Sequence, residues 1–126
     1  MSKLLFVVIL FLSPLSFAHA KEETNIADGA LLRGLDKVSG EVVDFGLKSG
    51  DTYSLWKLSI TLSECRYPVS NPVGDAFAHL KIFKEKSESE IFRGWMVSSS
   101  PGLNPLEDAR YDVWVLRCAM VSTSTE

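Results

Sequence analysis

From Trp56 to Ser63 the chain alternates one apolar with one polar residue without a break: Trp56, Leu58, Ile60 and Leu62 against Lys57, Ser59, Thr61 and Ser63. Period-two patterning is the mark of a strand with one buried face, and it excludes an amphipathic helix, whose apolar residues recur every three to four positions. The same pattern governs other stretches. Val43, Phe45 and Leu47 share one face of a run over 41–47, and 30–35, 52–55, 76–83, 91–97 and 111–120 read as further strands. Turn residues punctuate them: Ser49-Gly50-Asp51, the loop PVSNPVG over 68–74, and the charged KEKSESE over 84–90, a solvated hairpin tip. No segment holds a helical apolar period over ten residues. The expectation is an all-β fold, a single small antiparallel sandwich or barrel of about seven strands with one disulfide.

The front of the chain stands apart from that pattern. Lys3, the apolar run Leu4 to Leu12, Pro14 and Ala18-His19-Ala20 have the form of a secretory signal peptide cleaved after residue 20. The run is short for a membrane span, which takes roughly 20 residues. Residues 21–29 are then a flexible lead, 30–120 the β domain and 121–126 a frayed tail, and the expected location is periplasmic. A retained N-terminal anchor is the alternative.

Loss of Lys3 turns 13 bases against 16 acids into 12 against 16, a net charge of −4. That balance argues against a nucleic-acid partner, which selects a basic patch or stripe. Two cysteines in an exported chain read as one disulfide, Cys65 to Cys118. Cys65 falls on the polar phase of its strand. Either the strand ends near Leu62 or a bulge switches the phase before the cysteine. In the last strand Tyr111, Val113 and Val115 line one face, and Trp114, Leu116 and Cys118 the other. Apolar on both faces, it is expected in the centre of a sheet. Asp112 would then be at least partly buried and need a partner, with Arg33 or the amides of the preceding loop as candidates.

Serines 98 to 100 follow a strand, where a nucleophile can be presented, but a serine needs a base within reach. His79, the one histidine left after cleavage, lies mid-strand with Lys81 on its own face and is expected to point to solvent. Ser54 and Lys57 match S-x-x-K in spacing, yet on a strand the two side chains face oppositely. The loop reads better as an ordered corner, its hydroxyls capping backbone groups beside Pro101-Gly102 and Asn104-Pro105. No metal-ligand spacing is present, and no cofactor is expected.

Three stretches, "ALLRGLDKVSG", "LSITLSEC" and "GWMVSSSPGLNPLEDARYDVWVLRC", resemble the bacterial family of exported proteins filed as domain of unknown function 2155. The resemblance implies an envelope location and supports the cysteine pairing; it supplies no activity. In that family pattern a His often follows the loop glutamate, where this chain has Asp108.

The leading expectation for function is a non-catalytic envelope domain that binds a protein or cell-wall component through Trp95, Ser98, Ser99, Ser100, Pro101, Asn104 and Glu107. An envelope hydrolase or transferase using the serine-rich loop is the runner-up. A carrier of a small apolar ligand inside a barrel is third.

Overall fold

The computed structural model describes residues 22–120; residues 1–21, which include the expected signal peptide, and 121–126, the expected tail, lie outside them. Among the described residues eight strands form two antiparallel sheets: β1 (Thr24–Ala27), β2 (Gly29–Asp36), β3 (Val42–Lys48), β4 (Thr52–Leu55), β5 (Leu58–Pro68), β6 (Phe77–Lys84), β7 (Ser89–Val97) and β8 (Tyr111–Ala119). One sheet runs β1-β5-β6-β7 with β4 also on β5, and the other runs β3-β2-β8. The all-β expectation holds, and the two sheets face each other as a sandwich. The eighth strand comes from the segment read as a flexible lead. Asn25 and Ile26 pair with Tyr67 and Arg66, so hydrogen bonding orders a stretch whose composition is polar.

β5 is the spine of the larger sheet. Its first half pairs with β4 and its second half with β1, along one edge, while β6 takes the other edge. Its alternation continues into β6, so that Leu58, Ile60, Leu62, Leu80 and Ile82 are fully buried against Leu32, Val113 and Val115 of the second sheet. Each such side chain contributes about 1.5–3 kcal/mol. Two aromatic stacks tie the sheets at their margins: Phe45 on Tyr53, centroids 4.6 Å apart, and Trp56 on Tyr111, 5.2 Å apart.

The alternation at 56–63 conceals a turn. Leu55 pairs with Leu58, which leaves Trp56-Lys57 as a two-residue hairpin loop, with Trp56 at φ 54°. A bulky residue at positive φ is unfavourable. Here the stack on Tyr111 holds it, together with the space above Gly34, where an added Cβ would lie 3.3 Å from the Trp56 ring.

β8 lies at an edge of its sheet, not at the centre; β2 occupies the middle. Its second apolar face is only partly buried, and the 98–110 loop runs beside it at Trp114. Pro101, Gly102 and Pro105 stand with Trp114 and Asp112 around a surface cavity of about 380 Å³.

Both cysteines depend on bulges. Leu62 opposes Leu80 but Glu64 opposes His79, so Ser63 is the extra residue that turns Cys65 inward. In β8, Val115 opposes Leu32 and Arg117 opposes Leu31, so Leu116 is extra and Cys118 turns inward beside Ala30. Cys118 is therefore not on the Trp114 face, as strict alternation had it. The Cys65–Cys118 bond joins the two sheets, with Cα atoms 5.7 Å apart, among the small buried residues Ala27, Ala30 and Ala78.

Candidate functional site

The 98–110 loop carries the chain from β7 in one sheet to β8 in the other, and five residues anchor it. Ser98 Oγ donates to Asp75 Oδ1 (2.7 Å) and accepts from the Ala76 amide (2.9 Å). Ser99 donates its hydroxyl to Asp75 Oδ2 (2.7 Å) and its amide to Oδ1 (3.1 Å). Asn104 Nδ2 donates to the Trp95 carbonyl at 3.0 Å, on the side of β7 that no strand covers. Leu106 is buried in the core. Asp108 accepts from the amides of Arg110 (3.0 Å) and Tyr111 (2.9 Å), which starts β8.

Burial pushes the Asp75 carboxyl up, but the hydroxyls of Ser99 and Ser98 and two amides outweigh it and hold the group below its ordinary value. A carboxylate held that acidic is a weak base, so it orients these hydroxyls without activating them. His79 lies on the outer face of the larger sheet and is half-buried there, not fully open to solvent. Its Nδ1 meets Ser63 Oγ at 3.0 Å, and its ring stands edge-on to Trp95 at 5.2 Å. Among the described residues no carboxylate bonds its other nitrogen, so the third member of a catalytic triad is missing from this pair. Asp75, which organises the corner, was invisible in the sequence because it lies 23 positions before Ser98.

Arg33 and Asp112 do not pair. Arg33 forks onto Asp44 across β2 and β3 (Nε–Oδ1 2.6 Å, Nη2–Oδ2 2.9 Å), and Asp112 is half-buried, accepting from the Val113 amide at 2.9 Å. Arg33 stands opposite both Asp44 and Trp114, so the carboxylate directly across the ladder takes the guanidinium. The buried carboxylate is Asp36, 3% exposed. Arg110 bonds it through Nε and Nη2 (3.3 and 3.0 Å), and the amides of Val38 and Ser39 add two more bonds.

The Arg110 bond, with those amides, draws the Asp36 carboxyl down to about 2 against the opposing effect of burial. Because the folded value lies below the ordinary 3.8, the stabilisation is complete above that pH and is lost as pH falls toward the folded value. The melting temperature, followed by circular dichroism, should therefore fall steeply between about pH 4 and pH 2. Asp36→Asn should start lower at neutral pH and fall less. Parallel curves for the two proteins would refute the assignment.

Exposed residues gather on the outer face of the larger sheet. The pairing places Ile26, Arg66, Phe77 and Val97 in one cross-strand row and Glu64, His79 and Trp95 in the next. Trp95 is 40% and Ile26 58% exposed. Phe77, Trp95, Arg66, Thr24 and Glu22 surround a largely apolar groove of about 290 Å³. Arg66 is paired with Glu64 at 3.0 Å. Ser100, Pro101 and Glu107 are exposed along the neighbouring loop. The sequence pointed to Trp95 but missed Ile26 and Phe77, which only strand pairing brings beside it.

Among the described residues no cluster of three or more His, Cys, Asp or Glu is arranged to hold a metal ion. Nor is any helix there long and apolar enough to cross a membrane. No solved structure matches the chain. It is 26% identical over 103 residues to Uncharacterized protein RP359 of Rickettsia prowazekii (strain Madrid E). That alignment covers 79% of this chain and 66% of the relative, so the chain spans just under two thirds of the relative's length. Residues 30–118, from the core strand β2 to the second cysteine, match the family described as an uncharacterized protein conserved in bacteria. The chain belongs to that family, domain of unknown function 2155.

Proposed function

We propose that the protein is a periplasmic binding domain, exported by its leader, that holds a protein or cell-wall partner against the outer face of the larger sheet. The observation that carries this reading is Trp95. It is 40% exposed, braced by the His79 ring on one side, and its carbonyl is fixed by Asn104. A large aromatic that is both exposed and immobilised loses little entropy on contact, which is the property of an interface anchor. Phe77 and Ile26 extend the apolar centre, and the Arg66–Glu64 pair, Lys81 and Arg93 supply a polar rim. The serines of the corner support the surface from behind, since Ser98 and Ser99 spend their hydroxyls on Asp75.

The test places a photocrosslinking residue at Ile26 and, as a control, at Val42, which is 53% exposed on the other sheet. Discrete adducts, or retention on cell-wall sacculi, should arise from position 26 and disappear with Trp95→Ala while the melting temperature stays within a few degrees. Adducts that form equally from Val42, or that survive the tryptophan substitution, would sink the proposal.

A further inference from the structure

A second site lies at the end of the sandwich where three segments meet: the Trp56-Lys57 turn, the turn between β6 and β7, and the segment entering β8. Lys57, Lys84, Lys86, Ser87, Asp108 and Arg110 line a groove there of about 310 Å³. Four cations thus face one acid, in a chain whose net charge is −3. We propose that this groove binds a phosphate group, borne by a lipid headgroup or free in solution.

The carboxylate in the groove is already satisfied. Asp108 has a side chain only 7% exposed, takes Lys84 Nζ at 3.0 Å and accepts from the amides of Arg110 and Tyr111. Arg110 is also committed, with its fork on Asp36 and its guanidinium 5.3 Å from the centre of the Tyr111 ring. What remains is Lys57 and Lys86, both exposed and without a carboxylate partner among the described residues; the Ser87 hydroxyl beside them is shared with Ser89 Oγ at 2.6 Å. The Glu85 amide donates to the Lys57 carbonyl at 3.0 Å, so the two turns are joined and their lysines share one opening.

The chemistry of the free groups selects the ligand. A planar carboxylate is best recognised by an arginine fork, and the fork here is taken. Ammonium groups act as compact point charges with rotatable donors, suited to the oxygens of a tetrahedral phosphate approached from any side. The wall is also pre-shaped at a cost. Trp56, next to Lys57, is held at φ 54° against Tyr111, and strain of that kind collects at ligand clamps.

Amide shifts of the oxidised protein are followed while sodium phosphate replaces sodium chloride at constant ionic strength. In parallel the protein is sedimented with vesicles of phosphatidylcholine alone or with added phosphatidylglycerol. Saturable shifts at residues 57, 58, 86, 87 and 109–111 are expected. Lys57→Ala/Lys86→Ala should weaken binding about tenfold, the effect of losing a charge-assisted bond. Lys48→Ala, at the end of β3 opposite Gly29, should bind normally. Retention that needs phosphatidylglycerol and is lost in the double variant identifies a lipid headgroup; a response to soluble phosphate alone identifies a free ligand. No response in either arm, or an equal response from the double variant, overturns the site. Neither lysine has a partner to lose, so the melting temperature should not move.

Discussion

Replacing Cys65 and Cys118 together with alanine is expected to lower the melting temperature by on the order of 20 °C, the largest effect of any change considered. The bond closes a loop with a sequence separation of 53. In the chain-entropy account that restriction of the unfolded state amounts to about 4 kcal/mol, and each kcal/mol is about 4–8 °C in a domain of this size. The bond also joins the two sheets, so its loss frees them to separate. Thermal melts of the wild type, the double variant and the reduced wild type provide the check. The last two should fall together. A loss of only a few degrees would mean that packing among Leu32, Leu62, Leu80 and Val115 alone holds the sheets in register.

Gly29→Ala is the second large effect, expected to destabilise by about 2 kcal/mol or more. Gly29 opens β2 with Lys48 on one side and Ala119 on the other, and an added Cβ would sit 2.2 Å from the Leu47 carbonyl oxygen. The obstacle is backbone, so relief requires β2 and β3 to part where their ladder begins. Gly46→Ala is the matched control. It lies on β3 opposite Leu31, with nothing within 4 Å of the added methyl. There the substitution should be neutral, or stabilising by roughly 0.5 kcal/mol as the unfolded chain loses freedom. Chemical denaturation of both variants measures the contrast. Equal effects would show that the cost at position 29 is generic to glycine and not steric.

These two positions show where sequence stops being sufficient. Alternation located nearly every strand, because a half-buried sheet writes its burial into the chain at period two. It failed where tertiary contacts override that period. Trp56 continued an apolar phase, yet it sits in a turn held open by Tyr111, 55 positions away in the chain. The two apolar faces of β8 implied a central strand, but β8 is an edge strand whose second face stays half-buried, with a loop beside Trp114. Thr24 to Ala27 carried too little apolar signal to register as a strand, since its order comes from backbone bonds to β5. At the candidate surface, Trp95 was legible as an aromatic beside a corner. Phe77 and Ile26 were not, because neighbours across a ladder are fixed by register and not by chain distance. Asp36 with Arg110 was missed for the same reason: 74 positions separate the pair.

The two bulges carry one more consequence. Were Ser63 or Leu116 held in regular alternation and not bulged out of its ladder, the following cysteine would return to the outer face of its sheet. Sulfur can therefore meet sulfur only once both ladders have taken their shifted registers. The covalent bond acts as a proofreader, closing on a properly paired chain and leaving a slipped one with two thiols. A population sorted by free-thiol content would then be sorted by folding history, with the mispaired molecules marked chemically before they aggregate.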